Sequence, residues 1–159
     1  MDWQGFYLAS AGAAAALTGL LFVGISINIS KILAYESLID RSSISIVLLM
    51  NALIVSLCSL VPGQTDAFQG IEIITTGLIS WLIVTMKDRK IYRSKNGINR
   101  KKYILLIVID QIAMMPFVIA GAIIFTGCDC GHYWIVSGII FSLIKAILDS
   151  WVLLIEINR

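Results

Sequence analysis

Charge, histidine and proline are scarce in this chain. Of its 159 residues 14% are charged, one is histidine and two are proline, and no Lys or Arg precedes Lys31. Each shortage excludes something. With 58% hydrophobic residues and a mean hydropathy of +0.91, so few charges cannot cover a water-soluble domain of this length. A first segment without a basic residue lacks the n-region of a cleavable secretory signal, so the first hydrophobic stretch is expected to persist as a helix. His132 is the only histidine, and Gly-x-Ser-x-Gly, His-Glu-x-x-His, P-loop and dinucleotide fingerprints are all missing. No enzymatic activity and no cofactor are therefore expected.

What the chain has instead is long apolar runs. A hydrocarbon core roughly 30 Å thick is crossed by about 17 to 25 mostly apolar residues in a helix. Five stretches meet that need, near 5–28, 44–61, 70–86, 103–126 and 133–155. The expected fold is all-α, a polytopic transmembrane helix bundle of about five helices forming a single domain, 1–159. The third stretch is the shortest.

Lys and Arg give these spans a direction. Lys31 and Arg41 lie between the first two, Lys87, Arg89, Lys90, Arg93, Lys95, Arg100, Lys101 and Lys102 between the third and fourth, and Arg159 ends the sequence. Five spans put these segments on one side, which the positive-inside rule makes cytoplasmic. The other side receives Asp2, Asp66 and Asp129 without a Lys or Arg, so the N-terminus is expected outside and the C-terminus in the cytoplasm. Trp3, Tyr7, Tyr133 and Trp134 suit the outer interface, and Tyr103 and Trp151 the inner one. The basic segment from Lys87 to Lys102 is read as a topological loop that also meets anionic lipid headgroups, not as a nucleic-acid patch.

Within the first stretch, Gly5, Ala9, Gly12, Ala16, Gly19, Val23 and Ser26 recur at alternating steps of four and three. They form one low stripe along a helix, against which a second helix can lie with the backbones close. Packing of this stripe, within the bundle or between copies in a homo-oligomer, is the expectation. In the fourth stretch Pro116 removes a backbone donor and predicts a kink.

The fifth stretch carries Gly138, Ser142, Lys145, Asp149 and Glu156 on one face. Ionisable residues within a membrane face a protein interior or water. Counted at about 1.5 Å per residue from the basic ends, Asp110, Gln111 and Asn51 reach depths comparable to Lys145 and Asp149. A polar layer of these residues would carry one Lys against two Asp, a balance that a proton or a bound cation completes. Two readings follow: a proton or cation pathway, or a structural cluster that fixes helix register.

Cys128, Asp129, Cys130 and His132 gather thiol, carboxylate and imidazole groups in an outer loop. Cys128, Cys130 and His132 could ligate a zinc- or copper-like metal, although the spacing matches no standard zinc pattern; oxidation of the two thiols is the alternative. Cys58 reads as a packing residue.

The run from Ala11 to Asn28, AGAAAAL-x-GLLFV-x-x-SIN, with Asp2-Trp3 before it, Val61-Pro62-Gly63-Gln64 later and Trp151 to Glu156 near the end, resembles a family of small uncharacterised bacterial integral membrane proteins. The resemblance spans nearly the whole chain and implies a bacterial or archaeal membrane; with five spans, the expected location is the cell inner (plasma) membrane, multi-pass. It implies no activity, and the Cys128 to His132 loop is not part of its pattern. Two function classes remain: a self-associating bundle that acts as an ion or proton channel or transporter, and a non-transporting accessory subunit that binds another membrane protein.

Overall fold

A computed structural model gives the architecture, described here for residues 3–94 and 100–157. Helix is the only regular structure among the described residues: α1 (Gln4–Ile27), α2 (Ile29–Leu33), α3 (Glu36–Cys58), α4 (Asp66–Ser94), α5 (Arg100–Phe125) and α6 (Gly131–Ile157). All but the short α2 are long and apolar enough to cross a membrane. The chain is a multi-pass membrane protein.

Helices α3, α4, α5 and α6 close a ring in which each packs on its two neighbours, and α1 lies outside it, mainly along α3. Helix α3 is the hub. Half of its apolar window is buried inside the protein, against 22% for α1. One end of the ring is filled by Phe117, Ile73, Val55, Ile135 and Ile139 with Tyr7 of α1. Towards the basic end a second cluster, Leu48, Val84, Ala113 and Met114, continues the packing.

Two helices run past the limits set by hydropathy. Helix α3 starts at Glu36, well before residue 44, and α4 is the longest element at 29 residues instead of the shortest. The reason is electrostatic. A hydropathy window stops at a run of charges, but here the charges meet one another: Asp40 of α3 pairs with Lys87 and Lys90 of α4, each at 3.3 Å. Residues 87–94, expected in a loop, are thus the last two turns of α4.

The connections follow local chemistry. Gly63, after Pro62, turns the chain at φ +72°. Gly127 ends α5 at φ +79°; its N–H bonds to Ile124 O and that of Cys128 to Ile123 O, the paired bonds of a left-handed helix C-cap. Helix α5 passes through Pro116 without ending.

Close helix contact rests on glycines outside α1. A Cβ at Gly70 would stand 2.9 Å from Gly121 O, and one at Gly121 would stand 2.9 Å from Gly70 O, so α4 and α5 touch backbone to backbone at this crossing. Gly131 brings α6 equally near Ala120 of α5. By contrast Gly5, Gly12 and Gly19 have nothing within 4 Å of a Cβ, and every member of the α1 stripe, from Gly5 to Ser26, is exposed. The stripe does not pack inside this bundle.

Gly121→Ala should therefore destabilise the bundle by about 1–3 kcal/mol through overpacking. Gly12→Ala, with open space for its Cβ, should instead leave stability unchanged or raise it by up to about 1 kcal/mol. Denaturant titration in detergent, at a dilution where the chain is monomeric, measures both.

Candidate functional site

Lys145 holds the interior of the ring together on its basic side. Helix periodicity puts Gly138, Ser142, Lys145 and Asp149 on the buried face of α6, as their spacing predicts; the side chain of Glu156, the last member of that series, lies outside the described residues. From this face the Lys145 ammonium reaches Asp110 Oδ1 on α5 at 2.8 Å and forms an ion pair with Asp149 one turn along. All three side chains are almost fully buried, at 3–4% exposure. Asp110 Oδ1 lies within ion-pair distance but receives no aligned hydrogen bond.

Helix α3 completes the cluster. Its Arg41 guanidinium stands 3.4 Å from Asp149 Oδ1, and Ser45 donates to Asp149 Oδ2 at 3.4 Å. From α4 comes Asp88, 4% exposed, whose Oδ2 has no hydrogen-bond partner. Arg41, Asp88, Asp110, Lys145 and Asp149 together line a small cavity of about 20 Å³, room for roughly one water. Each of the four ring helices thus contributes at least one charge.

The electrostatics follow from burial. Lys145 and Arg41 face three carboxyl groups, Asp88, Asp110 and Asp149, in a setting that cannot solvate charge. The excess of one carboxylate anticipated from Lys145, Asp110 and Asp149 persists once Arg41 and Asp88 are added. A third carboxyl group in such a cavity can be neutral when protonated, and it can give up and regain that proton. The arrangement is suited to holding and exchanging protons.

The other two residues of the expected layer lie apart. Asn51 accepts from Ser80 Oγ at 3.1 Å and leaves its Nδ2 without a partner. Gln111 accepts from Trp81 Nε1 and donates to Thr85 Oγ1 at 3.4 Å. Among the described residues, no hydrogen bond or ion pair joins either amide to the charges around Lys145. The layer divides into a charged cluster and two neutral links between helices.

Sequence reasoning missed Arg41, Ser45 and Asp88. Arg41 and Asp88 look like loop charges beside other charges, at positions 41 and 87–90. A signal for Asp88 was present, because the small and apolar series Gly70, Ile73, Gly77, Ser80 and Val84 reaches Asp88 and Ile91 when continued by fours and threes. Those residues form the inward face of α4.

At the opposite end Cys128 and Cys130 form a disulfide, so the sulfurs there are not thiolates. No group of three or more His, Cys, Asp or Glu among the described residues is arranged to hold a metal ion. His132 instead meets Tyr7, whose hydroxyl lies 2.7 Å from Nδ1, and Trp3, with ring centres 5.4 Å apart. Tyr7, expected at the lipid interface, is a core residue at 1% exposure; Trp3 and Tyr133 do stack edge to face beside it. Of the expected anionic-lipid segment, Lys87 and Lys90 are engaged by Asp40, and the side chains of 94–103 lie outside the described residues.

Comparison of the chain with protein-family models, curated proteins and solved structures finds no match. The cluster stands on its own geometry.

Removing one partner of a buried ion network costs about 3–5 kcal/mol, because the charges left behind stay buried. Lys145→Met should lose stability on that scale, and adding Asp110→Asn to it should recover part of the loss. Reversible denaturation of the two variants beside wild type measures the difference.

Proposed function

We propose that the protein is a self-associating membrane bundle that moves protons or small cations, with the buried cluster of Asp110, Lys145 and Asp149 as the exchanging site. The observation that carries this reading is the imbalance of buried charge. Three carboxyl groups and two cations share an interior where every unpaired charge is expensive, which is an arrangement functional membrane sites keep and purely apolar packing avoids. The far half of the ring is filled by Phe117, Ile135, Ile139 and Tyr7, so the pathway is a gated one and not a permanently open pore. By the positive-inside rule the cluster faces the cytoplasm, and the opening motif's likeness to small bacterial membrane proteins points to a cell inner membrane.

A second reading is a non-transporting accessory subunit, favoured by the exposed stripe on α1. Gly5, Ala9, Gly12, Ala16, Gly19 and Ser26 face outward with open space above the glycines. Such a surface suits close helix docking in lipid, either to a second copy or to another membrane protein.

Proton and cation flux in proteoliposomes separates the readings. Wild-type protein should dissipate an imposed gradient, and Asp149→Asn should abolish the flux. A membrane that stays tight with correctly folded wild-type protein would favour the accessory subunit. Self-association has its own test: Gly12→Leu and Gly19→Leu should shift the chain to monomer in mild detergent while leaving its unfolding transition in place.

A further inference from the structure

The charged cavity has a neighbour. On the α4–α5 side an open groove of about 370 Å³ is lined by Thr85, Arg89, Arg93, Ile104 and Gln111. Asp88, Tyr92 and Ile107 line both the groove and the charged cavity. They form the partition between the basic-end exterior and the charges around Lys145.

Asp88 is unusual among the charged groups at this end. Asp40 is answered by two lysines, and Asp149 by Lys145 and Arg41. Asp88 is as deeply buried as they are, yet its Oδ2 has no donor. A buried carboxylate oxygen without a donor is stable only when a proton or a cation meets it. The groups around it are Arg41 from α3, Asp110 from α5, Lys145 and Asp149 from α6, and Tyr92 on its own helix. A metal ion is a poor fit, because no metal-holding group of carboxylates is present among the described residues and the cavity admits about one water.

Resting on the transport reading above, we propose that Asp88 is the proton-binding carboxyl group through which the Asp110–Lys145–Asp149 cluster exchanges with water at the basic end. A hydronium in the groove gives its proton to the Asp88 carboxylate and leaves as water. The carboxylic acid then passes that proton through the cavity to Asp110, becoming a carboxylate again. Asp88 is the port and Asp110 the next station. Because Asp88 borders both spaces, the two transfers run through one carboxyl group.

Infrared difference spectroscopy of the protein in lipid vesicles over a pH series tests this. Wild type should show a protonated-carboxyl C=O band that moves on transfer to deuterium oxide. The band should vanish in Asp88→Asn and shift in frequency in Asp88→Glu, which keeps the carboxyl group if the amide variant fails to fold. A band unchanged in both variants, or no such band in wild type, would overturn the assignment. Flux measured on the same samples keeps the two ideas separate. Loss of flux in Asp88→Asn together with loss of the band supports both; flux that survives Asp88→Asn but not Asp110→Asn overturns the role of Asp88 and leaves the transport reading standing. A band that vanishes in Asp88→Asn while wild-type vesicles stay tight supports proton binding at Asp88 and removes transport.

Discussion

The bundle depends on one ammonium group. Lys145 is fixed on α6 but its Nζ answers Asp110 on α5 and Asp149 on its own helix, and Asp149 is tied in turn to Arg41 and Ser45 on α3. An apolar surface in lipid gains little by meeting another, so helix association there rests on close packing and on polar links. Here the two means are divided along the bundle. Backbone contact through Gly70, Gly121 and Gly131 joins α4, α5 and α6 at the disulfide end, and charge joins the four ring helices at the basic end.

This division explains how much could be read from sequence. The class, the number of spanning helices and the inward face of α6 follow from hydropathy and helical period, because both are local properties. The true lengths of α3 and α4 do not. Their extensions carry Asp40, Arg41, Lys87, Asp88 and Lys90, which look like loop charges until the fold brings Asp40 against Lys87 and Lys90 and Arg41 against Asp149. Depth counting likewise put Asn51 and Gln111 level with the charges but could not give their rotation about the helix axes, and both turn to neighbours of their own.

The glycines carry a related lesson. A stripe of small residues gives the geometry for close contact without naming the partner. On α1 the stripe of small residues is regular and faces out, whereas Gly70, Gly121 and Gly131, which form no such stripe of small residues, make the contacts inside the chain. Periodicity reports a continuous surface; an internal crossing of two tilted helices needs small residues only where the axes meet.

One buried ammonium serves aspartates on two helices within a single chain. Solid-state NMR on protein in lipid bilayers, with the Lys145 side chain labelled with nitrogen-15 and the aspartates labelled at the carboxyl carbon, tests it most directly. Through-space contacts are expected from Lys145 Nζ to the carboxyl carbons of both Asp110 and Asp149, retained when labelled chains are diluted into unlabelled ones. Contact with Asp149 alone, or loss of the Asp110 contact on dilution, would contradict it.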